Sequence, residues 1–254
     1  MYGIIFYLNN FCSQLVNENE NESNQKNLIH HIWLKLDKKF NIVEEKFFYP
    51  DSKLLFGNNY YEGIEDVKIF NTNNGDNANT NIIFIGTKVH DNTTFGSSQN
   101  KLGLCIGYYD INKNTLESND IETNFSNNKC EKNWVFIKYN DDCINNDFHI
   151  IYSWFPLTIC SIDNFLLNNS SKHKISIIEK KSMPKIFKLV RGSTNGYNYQ
   201  NEIWFIVHIV SYENKRNYYH MLCVFDLNMN LLRYSPPFNF EGIFIEYCLS
   251  LIVN

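Results

Sequence analysis

Four segments of this chain open with polar residues, continue as short apolar runs and recur at similar spacing. They lie at residues 63–70, 131–137, 191–208 and 245–249, with their charged positions about 55 to 66 residues apart. A period near this length is typical of β-propellers, in which each blade is one small sheet that cannot bury its faces alone. The spacing therefore predicts an all-β fold, a β-propeller formed as a single domain over residues 1–254.

Composition agrees with one large β domain and excludes a class of partner. The chain has 254 residues, of which 44% are hydrophobic and 16% aromatic, enough for a sizeable core rich in strand-forming side chains. Its formal net charge of −4 argues against a nucleic-acid partner, because such binders need a basic face. We therefore expect no nucleic-acid partner.

The apolar runs are four to ten residues long and are bounded by Asn, Asp, Gly or Pro, as strands are. Residues 28–36 and 40–49 read as a first hairpin, and later runs include residues 82–87, 102–109, 148–154, 157–163 and 218–227. A turn that begins with aspartate repeats at Asp37, Asp110, Asp163 and Asp226. This repetition indicates that the units share one turn, placed near the junction of their third and fourth strands.

Cysteine usage and hydropathy bear on the compartment. Seven cysteines include no Cys-x-x-Cys pair, so neither a disulfide framework nor a zinc site is predicted, and those in apolar runs read as core thiols. The adjacent His30 and His31 have no acidic or cysteine partner at metal spacing, so no metal or other cofactor is expected. No run reaches the length of a membrane span, and we expect no membrane partner and a cytoplasmic location.

In a propeller, the polar residues that open the inner strands face one another across the central tunnel. The openings supply Glu65, Asp66, Lys132, Arg191 and Glu246, which we expect to approach one cavity. Mixed carboxylates and bases suit a polyhydroxylated ligand, and two carboxylates flanking a glycosidic bond can act as acid and base. The alternative is that these charges only pair with one another in a wet tunnel.

The residues of these openings carry a family resemblance. Residues 63–70 resemble the Gly-x-Glu-Asp-Pro-Arg signature of the five-bladed propeller glycosidases and phosphorylases that act on β-mannosides, with Val67 and Lys68 in place of Pro and Arg. Residues 131–134, 191–194, 218–220, 235–238 and 246–248 resemble propeller modules that giant viruses and bacteria encode beside glycosyltransferases. The resemblance extends from about residue 27 to the end of the chain, and it implies that the propeller has five blades.

The resemblance implies roles for particular side chains. In the phosphorylases the acidic pair holds hydroxyls of the transferred sugar, and basic residues bind inorganic phosphate as co-substrate. The catalytic positions implied here are Glu65, Asp66 and Glu246, and the substrate-binding positions are Lys132, Asn133, Arg191, Ser193, His208 and His220. The change from Arg to Lys68 removes a planar bidentate fork, and no residue is assigned as the general acid. Separately, Trp134, Trp154 and Trp204 offer stacking faces for a sugar, although aromatic residues on strands are more often core.

Two functions follow from these expectations. The first is a carbohydrate-active protein that hydrolyses, phosphorolyses or transfers at a glycosidic linkage in a pocket on the propeller axis. The second is a non-catalytic glycan-binding or scaffolding module that partners a glycosyltransferase, with a degenerate paralogue as a further alternative. Whether the chain is an enzyme is left open between them, and for a viral protein the compartment would be the host cytoplasm.

The last blade is expected to be incomplete, because the apolar run at residues 243–253 is followed by no further strand. Residues 1–8 form an apolar, strand-like run and are predicted to pair beside residues 243–253 to close the ring in part. An edge left open would recruit a second copy of the chain or make the protein prone to aggregation.

Overall fold

Antiparallel β-strands make up almost all of the regular structure, and the all-β prediction is confirmed. The computed structural model describes residues 2–11, 26–48, 53–56, 59–71, 82–90, 101–126, 130–137, 148–162, 172–213, 215–243 and 245–253. Within these ranges the only helix is a 3₁₀ helix, Lys185–Leu189. The chain folds into two compact units: Met1–Ile121 with Asn128–Lys132, and Glu122–Asn127 with Asn133–Asn254. The single-domain expectation stays a prediction.

Nine strands lie in the described part of the first unit. They are β1 (Tyr2–Phe11), β2 (Lys26–Leu36), β3 (Ile42–Phe48), β4 (Lys53–Phe56), β5 (Asn59–Glu62), β6 (Glu65–Asn71), β7 (Ile82–His90), β8 (Lys101–Asp110) and β9 (Thr115–Thr123). One sheet has the order β1-β2-β5-β4, with β3 also paired to β2, and β6 to β9 form an antiparallel meander. The last residues of β9, Glu122 and Thr123, belong to the second unit, where β9 is the neighbour of β13 in the strand order.

The other nine strands found in the described ranges belong to the second unit. They are β10 (Val135–Ile137), β11 (Phe148–Trp154), β12 (Leu157–Ile162), β13 (Lys172–Lys181), β14 (Val190–Gly192), β15 (Tyr197–Tyr199), β16 (Glu202–Ser211), β17 (Asn217–Asp226) and β18 (Leu231–Tyr234). Strands β10 to β13 form an antiparallel meander. A further sheet has the order β14-β16-β17-β18, with β15 paired to β16.

Each unit has its own apolar core, built where strands from neighbouring sheets bury alternate side chains. In the first unit, buried aromatic and aliphatic residues cluster around Phe84 and Tyr109, both fully buried. In the second, a larger cluster includes Trp154, Phe205 and Phe225. Strands β7 and β8 are buried at nearly every position, which explains why their sequences read as continuous apolar runs.

One expected strand pairing is not formed. Strand β1 pairs with β2 along its whole length, from Tyr2 opposite Leu36 to Phe11 opposite Asn27. Residues 245–253, which were expected to form the strand beside it, contain no strand. The hairpin partner that is nearest in sequence thus takes the N-terminal run, as loop-closure entropy favours.

Candidate functional site

The backbone that carries Glu65 and Asp66 has a specific and unusual conformation. Gly63 has a φ of 109°, and a Cβ atom there would lie 2.4 Å from the carbonyl oxygen of Ile29, so only glycine fits. Asp66 has a φ of 53°, in the left-handed region that non-glycine residues rarely adopt. The pairing of β6 with β7 is interrupted between Glu65 and Lys68 by a β-bulge. A bulge turns the affected side chains away from the regular pleat, and bulges are frequent beside functional sites.

A buried histidine forms a hydrogen bond to the backbone of this segment on its interior side. His31 is fully buried; its Nε2 lies 2.8 Å from the carbonyl oxygen of Ile64, and its Nδ1 lies 2.6 Å from the Tyr109 hydroxyl. A carbonyl only accepts, so Nε2 carries the proton and Nδ1 accepts from Tyr109. Burial lowers the pKa of His31 to about 4, so the ring is neutral at pH 7. The peptide immediately before Glu65 is therefore held by a fully satisfied buried pair.

Glu65 and Lys132 form an ion pair at the surface of the first unit. The Lys132 Nζ lies 3.4 Å from Glu65 Oε2, and the side chains are 29% and 21% exposed. Burial raises the pKa of Glu65 and outweighs the opposing effect of Lys132, while the neighbouring Asp66 carboxylate adds to the increase. Burial acts to lower the pKa of Lys132, but the carboxylates of Glu65 and Asp66 hold it above its ordinary value. We call Glu65, Asp66 and Lys132 the Glu65 group.

Lys68, which stands at the motif's arginine position, lies inside the protein. It is 3% exposed, and its Nζ donates to the carbonyl oxygen of Asp66 at 3.3 Å. Burial lowers the pKa of Lys68 to about 8. Its ammonium therefore braces the left-handed residue from within.

In the second unit, Ser193 and His208 are bonded to each other. The Ser193 hydroxyl lies 2.7 Å from His208 Nδ1, and both residues are buried. The His208 ring stacks on Tyr218 and meets the edge of Tyr247. This hydrogen bond ties the segment after β14 to strand β16, and it occupies both polar groups inside the protein.

Asn133 lies where two segments of the second unit approach closely. A Cβ atom on Gly192 would come within 2.4 Å of the Asn133 carbonyl oxygen. The Tyr247 hydroxyl donates to Asn133 Oδ1 at 3.0 Å and also lies 3.3 Å from the Gly192 carbonyl oxygen. Asn133 has a φ of 66°, a conformation that asparagine tolerates better than most residues. Asn133 thus joins residues 133–136, 191–194 and 247.

Glu246 acts as a cap for a loop. Its two carboxylate oxygens accept the backbone N–H groups of Phe240, Glu241 and Ile243 at 2.7, 2.9 and 3.0 Å. Burial acts to raise the pKa of Glu246, but these N–H donors outweigh it and hold the pKa below its ordinary value. The carboxylate is 6% exposed, so its hydrogen-bonding capacity is used within the protein.

His220 lies beside Glu246 in an apolar setting. Its ring is fully buried, and its Nδ1 is 3.9 Å from Glu246 Oε2, beyond hydrogen-bond distance. The rings of Phe238 and Phe240 flank it. Neither ring nitrogen has a hydrogen-bond partner within the described part of the chain. Burial lowers the pKa of His220, against the opposing effect of the Glu246 carboxylate.

Three of the predicted basic residues lie in one row across the sheet of β14, β16 and β17. Arg191 is directly opposite His208, which is directly opposite His220, and cross-strand neighbours share a face. Arg191 is exposed, whereas the two histidines are buried. The row continues to Phe238 through an isolated bridge.

The predicted site residues therefore fall into two sets. Glu65, Asp66 and Lys132 come together in the first unit. Asn133, Arg191, Ser193, His208, His220 and Glu246 lie in the second unit, most of them in buried contacts. The convergence of all the charged openings on one cavity stays a prediction.

Sequence reasoning missed the residues that hold these groups in place. In the sequence, His31 stands out only as a possible metal ligand, and no pattern marks Tyr109. The contacts that join them span 33 and 78 residues of sequence, and no local pattern signals such a contact. The sequence block at residues 218–220 did point to one residue of this kind, because its Tyr218 ring stacks on the His208 ring.

The described residues include most of the cysteines and many side chains of the types that bind metals. Cys105, Cys160 and Cys223 are buried core thiols as predicted, and burial raises the pKa of each to about 12. Cys248 is half-buried. Among the residues with described positions, no three His, Cys, Asp or Glu side chains are grouped as metal ligands would be.

The described residues include no helix with the length and apolarity needed to cross a bilayer.

No protein-family model matches this sequence, and no curated protein is significantly similar to it.

Proposed function

We propose that this protein binds a carbohydrate through the Glu65 group. The observation that supports this most is the braced backbone: two adjacent carboxylates sit on a bulge with a left-handed aspartate, anchored by His31 and Lys68. Such conformations cost free energy and persist where the surrounding structure fixes them, which is common at binding sites.

The chemistry of the group suits sugar hydroxyls. Carboxylates accept two hydrogen bonds side by side, and an ammonium donates three, so vicinal hydroxyls can be bound from both sides. Glu65 and Lys132 are partly exposed, so a ligand can reach them while the ion pair keeps them ordered. The resemblance of residues 63–70 to the β-mannoside-active propellers favours a mannoside-like ligand.

A second candidate function is chemistry at the glycosidic linkage. Its supporting observation is that burial raises the pKa of Glu65, which is the direction that suits a general acid. Asp66 would then orient the sugar, and inorganic phosphate could enter as co-substrate against Lys132. Arg191 is exposed and could also meet phosphate, whereas His208 and His220 are buried.

Glu246 bears on the choice between these functions. Its carboxylate already accepts three backbone hydrogen bonds and is nearly inaccessible, which argues against a catalytic role. Glycoside hydrolysis needs two carboxyl groups that reach the bond. This favours the non-catalytic alternative, a glycan-binding module that partners a glycosyltransferase.

The finer fold that we propose is the five-bladed propeller. It is supported by the antiparallel meanders β6–β9 and β10–β13, each of four strands, and by the four-strand sheet of β14, β16, β17 and β18. In the first and third of these, the aspartate-initiated turn joins the third strand to the fourth, at Asp110 and Asp226. The propeller prediction did not include β9 and β13 as neighbours in one strand order, as they are here.

We place the protein in a reducing compartment such as the cytoplasm. The support is chemical: all five cysteines with described positions are free thiols, three of them buried.

The test compares binding with turnover. We expect Glu65→Gln and Asp66→Asn each to weaken binding on a glycan array at least tenfold, because both lose a charge-assisted acceptor while keeping their shape. Glu213→Gln, at an exposed position of the second unit outside both proposed surfaces, serves as a charge-changing control for non-specific binding. Phosphate-dependent sugar release from any bound glycan would favour the enzymatic candidate.

Unchanged binding by folded Glu65→Gln and Asp66→Asn proteins would overturn the proposed site. Equal unfolding midpoints for the variants and the parent protein are required before binding is compared.

A further inference from the structure

Only one of the three tryptophans considered as sugar-stacking residues is accessible. Trp134 and Trp154 are 1% and 4% exposed and belong to the interior. Trp204 is half-buried and points away from the core, because its neighbours Ile203 and Phe205 both lie in the core cluster of the second unit. The structure thus separates Trp204 from the other two.

Two tyrosines lie beside Trp204 on a short hairpin. Tyr197 is directly opposite Trp204, and the Tyr199 ring meets the indole at 85° with 6.0 Å between centroids. The hairpin turn consists of Gln200 and Asn201, with φ values of 49° and 62°. Two consecutive positive φ values define the turn whose twist matches that of paired strands, so the tyrosines are presented rigidly.

A charged pair pins the indole in place. Arg233 and Glu202 form two parallel hydrogen bonds, both of 2.6 Å, and the guanidinium lies over the Trp204 ring at 5.5 Å. The indole Nε1–H also donates to Glu202 Oε2 at 3.0 Å. Arg233 retains further N–H groups, and its side chain is 52% exposed. The surface is thus preorganised and keeps hydrogen-bonding groups facing solvent.

We propose that Tyr197, Tyr199, Glu202, Trp204 and Arg233, the Trp204 platform, form a second carbohydrate-binding surface. A pyranose has an apolar C–H face that stacks on aromatic rings and edge hydroxyls that bond to charged planar groups. The charges of Arg233 and Glu202 cancel, so the platform selects a neutral polyhydroxylated ligand over an anionic one. The ligand class rests on the proposed function, whereas the location is independent of the Glu65 group.

The experiment is a fluorescence titration of the full chain with β-1,4-mannotetraose and, in parallel, cellotetraose. Stacking should change the emission of Trp204, and the change should be absent in Trp204→Phe. We expect Trp204→Ala and Tyr199→Ala to weaken binding by up to about tenfold, the range that aromatic contacts provide. Tyr212→Ala, which removes a 63% exposed aromatic ring elsewhere in the second unit, should leave binding unchanged.

The outcomes separate the two proposals. Binding lost in Glu65→Gln but unchanged in Trp204→Ala and Trp204→Phe overturns the platform and leaves the proposed function standing. Binding lost only in the Trp204 and Tyr199 variants supports the platform and overturns the Glu65 group. No emission change with either oligosaccharide overturns the platform. If Trp204→Ala does not fold, Tyr199→Ala and Trp204→Phe decide the matter, because both keep the core-facing residues intact.

Discussion

At the scale of single residues, the most informative contact is between two side chains that no motif marked. His31 and Tyr109 are buried and use both ring nitrogens and the hydroxyl to hold the carbonyl of Ile64. The conformation of the Glu65 group therefore depends on the buried hydrogen bond between His31 and the carbonyl oxygen of Ile64. Buried polar groups of this kind are costly to leave unpaired, so they specify one arrangement.

Tyr109→Phe tests this dependence. The change removes the donor to His31 Nδ1 without changing ring packing, and we expect a loss of about 1 to 3 kcal/mol in the free energy of unfolding. Urea denaturation followed by circular dichroism measures the loss. Tyr212→Phe, at a 63% exposed position, is the control and should cost well under about 1 kcal/mol. Equal midpoints for the two variants would contradict a structural role for the pair.

At the scale of elements, the repeated aspartate turn is the clearest case of a local rule that holds. Asp37 Oδ1 accepts the backbone N–H groups of Lys39 and Asn41, and Asp226 Oδ1 accepts those of Asn228 and Asn230 in the same way. Phe40 precedes Asn41 and Met229 precedes Asn230, and both have a φ near 60°. Asp110 also caps its turn, and Asp163 lies outside the described residues. All three described aspartates cap a turn, and those at Asp110 and Asp226 join a third strand to a fourth, whereas the Asp37 turn joins β2 to β3.

Asp226→Ala measures what this turn contributes. It removes three accepted hydrogen bonds, two from backbone N–H groups and one from the Asn230 amide. We expect a loss of about 1 to 2 kcal/mol in the free energy of unfolding, measured by urea denaturation. Asn228→Ala should change it little, because Asn228 contributes its backbone N–H to the turn. A loss as large in Asn228→Ala would show that the carboxylate is not the source of the stability.

At the scale of the whole molecule, buried neutral histidines make stability depend on pH. Burial lowers the pKa of His31 and of His90 to about 4 from an ordinary value of 6.5. The unfolded chain binds protons at these residues near pH 6.5, and the folded chain does so only near pH 4. Their stabilisation is therefore complete above about pH 6.5 and is lost as pH falls towards 4.

Acidification from pH 6.5 to pH 4 should therefore destabilise the protein. Each histidine contributes up to about 3 kcal/mol across this window, so the urea midpoint should fall steadily from pH 6.5 to pH 4. His90→Gln should reduce the slope, because it removes one of the two histidines whose pKa burial lowers. A midpoint that stays constant between pH 6.5 and 4.5 would contradict the neutral buried state.

What could be predicted from the sequence is the part governed by short-range rules. Alternation, apolar runs and bounding polar residues placed the strands at residues 148–154 and 157–163 within a residue or so of β11 and β12. The aspartate turns follow from hydrogen bonds that span at most four residues, so their chemistry is visible in the sequence.

Only the tertiary structure decided which long-range partner each residue takes. Glu246 reads as a free carboxylate in the sequence and proves to be a loop cap, and Trp204 reads like Trp134 and Trp154 but alone lies half-exposed. Strand β1 pairs with β2, although its apolar pattern also suited the far end of the chain. Composition and pattern report whether a residue can be buried, but burial and partner choice depend on packing between segments distant in sequence.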